Sequence, residues 1–393
     1  MTAPPTAAPA AARQDGAGQG AHDAVHDAAH DAAPPARPLP ALVSLIVPCR
    51  NEVQAIAALC NAALGQQLPP GVELELLVAD GRSDDGTRQW LQQASAREPR
   101  LRLIDNPARI VSAGLNRCIG QARGSFIVRW DVHTRYAPDY VAQCIAAWQR
   151  TGADNVGGPW CAQWPDGGGD EARWARAIAA AFQSRWVVGG ARSRDAAYEG
   201  EVDTVYLGAW PRETFARVGG FDEQLVRNQD DEHNLRIRRA GGRIWQSARI
   251  RSHYQPRGSL RRLFEQQRQY GYWKPFVMKK HGQPASLRHL VPGGFVAALV
   301  AGPVGSAALG LLGGWRAAGA VGAAWLAMVV LYLGLVAAVS AGVAVQRREA
   351  GLLATLPAVI AAYHLGYGLG SLRGAWDVLR GRQPDAAFGR LTR

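Results

Sequence analysis

The stretch ALVSLIVPCRNE, residues 41–52, joins an apolar, β-branched run to a short polar cluster. A run of this kind is typical of a strand that is buried on both faces of a sheet. VELELLVAD at 72–80 has the same character, and helical patterns follow both runs, AIAALCNAALGQQ after the first and TRQWLQQASARE after the second. Successive βα units of this kind predict a mostly parallel sheet covered by helices.

The alternation continues beyond the second unit. LRLIDNP and SFIVRWD read as strands on either side of a helix in IVSAGLNRCIGQARG, and ADNVGG reads as a further short strand. Val141, Ile145 and Trp148 recur at helical spacing. We therefore expect an α/β domain over residues 41–285, with ligands at the carboxyl ends of its strands. The less regular residues 161–200 are expected to help shape the pocket.

The two ends of the chain differ from this middle part in composition. Residues 1–40 are rich in Ala, Pro, Gly and Asp, repeat AHDA, VHDA, AHDA, and have few large apolar side chains, so we predict disorder. Three blocks almost free of charge follow Pro292, at 291–312, 318–345 and 351–370. Each is long enough to cross a bilayer, which predicts a C-terminal α-helical membrane domain over 286–372 and a basic tail over 373–393.

The number of spans stays open at this point. Three full spans would place the arginines of the tail on the opposite side from the basic segment that precedes the membrane domain, against the positive-inside rule. The alternative is that one block is interfacial or re-entrant, and the third, which contains His364 and several glycines, is the weakest span.

The net charge of +12 is concentrated in one segment. Residues 249–290 contain ten Lys or Arg against one acid, Glu265. Because this segment lies just before the apolar blocks, it fits a cytoplasmic flank facing anionic lipid. No zinc-finger spacing or RNA-recognition signature is present, so we expect no nucleic-acid partner. Five cysteines without a CxxC pair favour a reduced, cytosolic environment for the α/β domain.

Polar clusters stand at the predicted carboxyl ends of strands: PCRNE at 48–52, DGRSDDGT at 80–87 and DVH at 131–133. The turn after Asp80 suits a site for a base and ribose; alternatively, Ser83 or Asp85 caps the next helix. No GxGxxG follows a strand and no GxxxxGK[ST] occurs, which disfavours dinucleotide and P-loop sites.

Two further clusters have both a chemical and a structural interpretation. Asp131 and His133 alternate at a strand end, so they face the same way and suit a shared Mn²⁺ or Mg²⁺; alternatively, Asp131 caps a turn beside a satisfied histidine. NQDDEHNLR at 228–236 opens a later helix, where its acids serve catalysis or complement the helix dipole.

The order of these motifs resembles the family 2 glycosyltransferases of GT-A fold, which is Rossmann-like. Within them the chain is similar to bacterial membrane-anchored enzymes of succinoglycan-type exopolysaccharide synthesis. The resemblance covers residues 43–280. It rests on VSLIVPCRNE, VADGRSDDGT, IDNPARIVSAGLNRCIGQARG, VRWDVHTRYAPDYV, EVDTVYLGAW, VGGFDE, RNQDDEHNLRIRRAGG and QQRQYGYWK.

The resemblance implies a nucleotide-sugar site. Its nucleotide-binding residues are Pro48, Arg50, Asn51, Glu52, Asp80, Ser83, Asp85, Arg109 and Asn116. Asp80 is expected to contact the base or ribose. Asp131 takes the place of the first acid of the family's DxD metal motif, His133 replaces the second, and His253 is a candidate third ligand of the metal or of phosphate.

The same resemblance implies that Asp230 is the base that activates the acceptor. Asp231 or Glu232 takes this role if the register differs by a residue or two. Gln267, Tyr270 and Trp273 are expected on the acceptor side. QQRQYGYWK departs from the QxxRW motif of processive synthases by placing Tyr270 where that motif has Trp, so processivity is not implied.

The implied enzyme is an inverting, metal-dependent hexosyltransferase. It takes a hexose from a nucleotide sugar, which we expect to be a UDP-sugar, and transfers it to a lipid-linked saccharide. This places it in exopolysaccharide or cell-surface polysaccharide synthesis, as a multi-pass protein of the bacterial inner membrane with a cytoplasmic catalytic domain. The alternative is a catalytically silent membrane scaffold that keeps the fold and binds sugar nucleotide or a partner enzyme. That alternative predicts missing acids, whereas Asp80, Asp131 and Asp230 are all present.

Overall fold

A computed structural model describes residues 37–163, 168–256, 258–282, 287–385 and 388. Residues 1–36 of the predicted disordered segment lie outside these ranges. In chain order the elements are β1 Leu42–Cys49, α1 Ile56–Leu64, β2 Glu73–Asp80, α2 Thr87–Arg97, β3 Leu101–Asp105, α3 Val111–Gln121, β4 Phe126–Arg129, β5 Thr134–Tyr136, α4 Tyr140–Thr151, β6 Asn155–Gly158, β7 Cys161–Ala162, α5 Asp170–Gln183, β8 Gly200–Glu201, β9 Tyr206–Pro211, α6 Arg212–Val218, α7 Gln229–Arg239, β10 Ile244–Gln246, β11 Ser252–Tyr254, α8 Leu260–His281, α9 Val291–Leu311, α10 Trp315–Arg347 and α11 Leu356–Leu379. The strand and helix alternation predicted from residue 41 to 158 is confirmed.

The large sheet has the strand order β3-β2-β1-β4-β9-β6-β10-β8 within the described ranges. β1, β2, β3 and β4 are parallel, as predicted, but β9 runs antiparallel to both β4 and β6, so the sheet is mixed. Val128 of β4 pairs with Ala209 of β9. Because β9 is antiparallel, its first residue, Tyr206, lies beside the carboxyl end of β4.

A small second sheet lies at the same end of the molecule. Its order is β5-β11-β7, with β11 antiparallel to β5 and parallel to β7. This sheet places Tyr254 next to Thr134, directly after the polar turn that follows β4.

Strand alternation divides the core of the large sheet into two layers. Val43, Leu45 and Val47 of β1 pack with α1 and α4 on one face, whereas Ile46 packs on the other face with α3 and α7. All four side chains are fully buried, as expected for a strand covered on both faces. This packing holds the carboxyl end of the sheet rigid, and the polar clusters lie there.

Two of the C-terminal helices are long and apolar enough to cross a membrane. Within the described residues these are the segments Leu287–Leu311 and Trp315–Arg347, and only 11% and 22% of their most apolar windows are buried. Large apolar side chains such as Val300 and Leu331 are exposed on them. Exposed, continuous apolar helices of this length are typical of membrane spans.

The third apolar block behaves differently. Its residues form the 3₁₀ segment Ala350–Ala354 and much of α11, which lies along α8. A Cβ atom on Gly370 would lie 2.0 Å from the carbonyl oxygen of Arg268, and one on Gly374 would lie 2.2 Å from that of Tyr272. Such close backbone approach is possible only because glycine has no side chain. The block therefore packs closely on α8, and its interfacial position stays a prediction.

A shared core joins the C-terminal helices to the α/β domain. Phe182 of α5 is buried in one cluster with Val336 of α10 and Leu356 of α11. At the end of α10, Arg347 hydrogen-bonds to Gln183 of α5. α9 and α10 thus form a hairpin whose second helix returns to the α/β domain.

Candidate active site

The loops after β1 and β2 are joined into one wall. The backbone N–H of Asn51 donates to Ser83 Oγ at 2.7 Å, and the N–H of Asp84 donates to Asn51 Oδ1 at 3.0 Å. The N–H of Glu52 donates to Thr87 Oγ1 at 2.7 Å. Two segments that are separate in the sequence, and that were both predicted to bind nucleotide, therefore lie against each other.

Asp80 lies beneath this wall. It is fully buried, its Oδ1 accepts from Ser83 Oγ at 2.5 Å, and its Oδ2 accepts from Arg88 at 3.0 Å. The carboxylate of Asp85 accepts from the N–H groups of Thr87 and Val53, at 3.0 and 3.1 Å. The next helix has Gly86 at its N-cap and no side-chain cap, so the alternative that Ser83 or Asp85 caps it is wrong; Asp85 instead bonds to the N–H group of the first helical residue. Contact of either acid with a nucleotide stays a prediction.

The remaining predicted nucleotide residues are spread around the same edge. Pro48 pairs with Ala79 in the sheet, and Arg50 packs against Gly81. Arg109 is exposed in the loop after β3 with a φ of 61°. Asn116 instead fixes the loop of residues 219–223 by two hydrogen bonds. Its side-chain amide donates to Phe221 O at 2.8 Å and accepts from Phe221 N at 2.7 Å. Nucleotide contact by this set also stays a prediction.

Asp131 and His133 lie in a turn and not on a strand. β4 ends at Arg129, the buried Trp130 ring stacks on Tyr136 at 3.6 Å, and the N–H of Thr134 donates to Asp131 O at 3.3 Å. The prediction that Asp131 and His133 alternate at the end of a strand is therefore wrong, because the chain turns directly after Trp130. The N–H of Asp131 donates to Tyr136 Oη at 2.7 Å, which fixes the turn.

Arg129 brings two predicted site residues together. Its side chain is buried at the end of β4; Nη2 donates to both carboxylate oxygens of Asp131, at 3.3 and 3.4 Å, and Nη1 pairs with Asp230 at the start of α7. Sequence reasoning did not single out Arg129. The available signal was a charged residue inside the apolar run FIVRW, two positions before Asp131.

The three acids at the start of α7 have different environments. Burial raises the pKa of Asp230 to about 6, with Arg129 opposing the shift and the neighbouring Asp131 and Asp231 adding to it. Burial opposes ionisation of Asp231 as well, but Lys274, 2.6 Å away, holds the pKa of Asp231 below its usual range. A carboxyl group that titrates near neutrality suits proton exchange, which favours Asp230.

Glu232 belongs to a separate ion network. It is fully buried and pairs with Arg236, Lys280 and His281 at 2.8–3.0 Å. Although burial raises its pKa, hydrogen bonds from Arg236 and Lys280 lower the pKa of Glu232 to about 2. Glu232 does not line the cavity described below. Because Lys280 pairs with both Glu232 and Asp222, the network ties the start of α7 to the loop around Asp222.

The predicted metal ligands are only partly assembled. His133 Nε2 lies 3.1 Å from Glu52 Oε1 on the exposed side of the turn. His253 precedes Tyr254 on β11; because Tyr254 lines the cavity, strand alternation points His253 away from it. Within the described residues, no group of three or more His, Cys, Asp or Glu side chains could hold a metal. Asp131 and His133 are both partly exposed and offer carboxylate oxygens and an imidazole nitrogen, which are donor types that bind divalent cations; joint binding of a metal by these two residues stays a prediction.

A cavity of about 620 Å³ begins at Asp131 and Asp230 and extends to the C-terminal helices. Gln267, Tyr270 and Lys274 of α8 form part of its wall. Six residues between 187 and 194, in the less regular region, line it as well: Val187, Val188, Gly189, Ala191, Ser193 and Arg194. α9, α10 and α11 contribute Phe295, Tyr332, Tyr363, His364 and Tyr367.

Of the predicted acceptor-side residues, Trp273 lies elsewhere. It is buried with Tyr272 and Val277, and its Nε1 donates to Phe388 O at 3.1 Å. Lys274, one helical turn beyond Tyr270, occupies the cavity face instead, because helix positions i and i+4 share a face.

Comparison with known proteins agrees with this geometry. The family model described as "Glycosyl transferase family 2" matches residues 44–204. The succinoglycan biosynthesis protein ExoA of Rhizobium meliloti is 31% identical over 338 residues, which cover 86% of this chain and 96% of the relative. A glycosyltransferase of Methanococcus voltae, dolichyl N-acetyl-alpha-D-glucosaminyl phosphate 3-beta-D-2,3-diacetamido-2,3-dideoxy-beta-D-glucuronosyltransferase, is 23% identical over 61% of this chain and 74% of its own.

The fold is shared with a solved enzyme. Mannosyltransferase PcManGT from Pyrobaculum calidifontis, solved in complex with GDP-Man and Mn²⁺, superposes with a TM-score of 0.51 over 88% of this chain and 90% of that chain, at 18% identity. The mixed sheet with helices on both faces is the GT-A fold that the sequence predicts. Since a full-length relative and the family model agree with the motifs and the fold, the chain belongs to glycosyl transferase family 2.

Proposed function

We propose that the protein transfers a hexose from a UDP-sugar to a saccharide on a lipid carrier, with inversion at the anomeric carbon. One observation carries the proposal: Arg129 gathers Asp131 and Asp230 at the mouth of a cavity that continues to exposed apolar helices. A cavity of this kind gives a lipid-linked acceptor a route from the membrane to the acids. The dolichyl phosphate in the name of the archaeal relative supports an acceptor of this class.

In the proposed reaction Asp230 accepts the proton of the acceptor hydroxyl as the oxygen attacks the anomeric carbon. The new bond joins that oxygen to the anomeric carbon, and the bond from this carbon to the diphosphate breaks in line, with its electron pair leaving on UDP. Arg129 orients Asp230 through their ion pair. When held by Asp131 and His133, a divalent cation such as Mn²⁺ or Mg²⁺ supplies positive charge for the leaving diphosphate.

The donor is assigned to the wall formed by the loops after β1 and β2. This wall opens beside the turn at Asp131, since Glu52 contacts His133. The acceptor is assigned to the α8 side, where Gln267 and Tyr270 offer an amide and an aromatic ring to a sugar. The two substrates then meet at Asp131 and Asp230.

We further propose that residues 41–285 form a catalytic domain on the cytoplasmic face of a bacterial inner membrane, anchored through residues 286–372. A hairpin of two spans, α9 and α10, leaves the basic segment 249–290 and the arginines that follow α11 on one side. This satisfies the positive-inside rule, which three spans would not.

The roles of the two acids are separated by paired variants in membranes that contain the protein, supplied with labelled UDP-hexose, Mn²⁺ and a lipid extract. We expect Asp230→Asn to lower transfer of label to the lipid phase by about 10²- to 10⁴-fold, as for the loss of a general base, while UDP still binds. Asp131→Asn should abolish the Mn²⁺-dependent part of UDP binding in calorimetry. Asp170→Asn, at an exposed acid on α5, is the matched control and should change neither quantity.

Transfer that persists in Asp230→Asn would move the base to Asp231. UDP binding that is equally strong with and without Mn²⁺, in both the wild type and Asp131→Asn, would contradict the metal assignment. If the folded protein binds no UDP at all, the proposed donor is wrong.

A further inference from the structure

Arg194 ends a short 3₁₀ segment, Arg192–Arg194, in the loop that follows α5. Its guanidinium lies over the ring of Trp160 at 3.3 Å and near that of Phe182 at 5.3 Å. Trp160 in turn stacks on Tyr206, the residue beside the carboxyl end of β4. Arg194 therefore lies in the wall of the cavity. The rings of Trp160 and Tyr206 separate it from the end of β4 that carries Arg129.

The charge of Arg194 is not balanced within the described ranges. No carboxylate there pairs with it, and its Nη1 is shielded from solvent without a hydrogen-bond partner. Burial lowers the pKa of Arg194 to about 10, so the side chain stays charged at neutral pH. A partly buried cation that has no counter-ion and one shielded N–H group without a partner is costly, which points to an anionic ligand.

The orientation of the guanidinium suits a phosphate group. Trp160 covers its face, so the N–H groups at its edge remain for an acceptor. Stacked arginines that present their edge bind phosphate through parallel, charge-assisted hydrogen bonds.

Within the described residues, four other shielded polar atoms on residues that line the same cavity lack partners, and Arg129 Nε and Trp160 Nε1 are two of them. Tyr367 Oη and His289 Nδ1 are shielded and make no hydrogen bond in the described part of the chain. Tyr363 is close enough for electrostatic interaction with both Arg194 and Asp231, and His289 for interaction with Asp231. Unsatisfied polar atoms on several residues that line one cavity favour a ligand with several oxygen atoms.

The surroundings of these atoms are apolar on the membrane side. Val291, Pro292 and Phe295, at the start of α9, line the same cavity. Val291 is 67% exposed, so the apolar surface continues outward along the helix. A ligand that joins an anionic group to a hydrocarbon chain matches this sequence of polar and apolar lining.

We propose that Arg194, with Tyr367 and His289, binds a phosphate group of the acceptor's lipid carrier. This inference rests on the proposed function, because it assigns the lipid-linked acceptor to this cavity. Arg194 is thereby a binding residue for the acceptor, in a part of the cavity that the donor does not use.

The test uses the full chain in detergent and three probes: farnesyl diphosphate, farnesol and inorganic diphosphate. We expect farnesyl diphosphate to bind more tightly than either other probe. Arg194→Met should weaken its binding by about tenfold or more, the loss expected for one charge-assisted contact. Tyr367→Phe, which removes only a hydroxyl group, should weaken it less. Arg192→Met is the matched control, since Arg192 is exposed and donates to Tyr198 Oη at 3.0 Å.

UDP binding should be unchanged in all three variants, which shows that they are folded. Equal affinity of the wild type, Arg194→Met and Tyr367→Phe for farnesyl diphosphate would overturn the inference. Inorganic diphosphate that binds as tightly as farnesyl diphosphate would also overturn it, and would identify a site for free phosphate. Arg194-dependent binding without any UDP-hexose turnover would count against the proposed function alone.

Discussion

At the scale of single residues, Arg129 determines how the two acids of the site behave. It is buried at the end of β4 and pairs with Asp131 and Asp230, which belong to different elements. An opposite charge at this distance favours the ionised form of a carboxyl group, whereas burial favours the neutral form. The pKa of about 6 for Asp230 is the balance of these two effects.

This balance predicts the pH dependence of transfer. Below about pH 6 Asp230 becomes protonated and no longer accepts a proton, so kcat/KM should fall on the acid side. Arg129→Gln removes the charge that lowers the pKa of Asp230, so the carboxyl group should stay protonated to higher pH. The acid limb should move upward by about one pH unit or more, measured as kcat/KM against pH at a fixed Mn²⁺ concentration.

Arg123→Gln is the control for this shift. Arg123 pairs with a buried acid too, Glu75, at 2.8 Å, but at the amino end of the sheet. An acid limb that stays in place in Arg129→Gln, or that moves equally in Arg123→Gln, would show that Arg129 does not set the pKa of the base.

At the scale of elements, α8 has two functions on two faces. One face carries Gln267, Tyr270 and Lys274 into the cavity, and the other lies against α11. Glycines on both helices allow the contact, since a Cβ atom on Gly271 of α8 would lie 2.0 Å from the carbonyl oxygen of Tyr367. The position of the cavity wall therefore depends on how closely α11 packs.

Gly370→Ala tests this contact. The new methyl group would meet the backbone of Arg268, which cannot move aside without shifting α8. We expect a loss of about 1–3 kcal/mol in stability, typical of overpacking, seen as a lower thermal unfolding midpoint of the purified protein in detergent. Acceptor KM should rise as well, because α8 carries the residues proposed to bind the acceptor.

Gly294→Ala on α9 is the matched substitution. No atom of the described residues lies within 4 Å of the position that its Cβ would take. Equal midpoints for Gly370→Ala, Gly294→Ala and the wild type would mean that α8 and α11 are not in close contact.

At the scale of the whole molecule, α9 and α10 form a hairpin that starts and ends at the catalytic domain. The core shared by Phe182, Val336 and Leu356 ties its second helix and α11 to α5. The connection between α9 and α10, residues 312–314, lies at the opposite end of α10 from Arg347, which bonds to α5. The exposed Leu311 and Leu312 lie there.

The hairpin predicts where reporters function in bacterial cells. Alkaline phosphatase inserted at Gly313 should be active, because this enzyme works only on the periplasmic side. Green fluorescent protein fused after Arg393 should be fluorescent, since the proposed topology places both ends of the hairpin on the cytoplasmic side. If green fluorescent protein fused after Arg393 is dark and alkaline phosphatase fused after Arg393 is active, the chain has three spans.

Much of this architecture could be predicted from the sequence because it is encoded locally. The apolar run at β1 and the helical spacing of Val141, Ile145 and Trp148 specify their elements whatever surrounds them. Asp131 could be singled out because it stands at the end of a predicted strand, and Asp230 because its motif resembles that of the family; their roles stay predictions. Trp273 was predicted on the acceptor side, but Lys274 lines the cavity in its place. The sequence of one segment does not show which face of a helix its neighbours cover.

The sequence by itself determined the order of strands and helices, the family motifs and the apolar helices, because periodicity and composition act over a few residues. Only the tertiary structure decided which residues meet. The Arg129–Asp230 pair joins positions 101 residues apart, and the cavity around Arg194 is built from the α/β domain and the C-terminal helices together. Ion pairs, pKa shifts and unsatisfied buried atoms depend on what lies within a few ångströms in space, and chain folding alone brings those groups together.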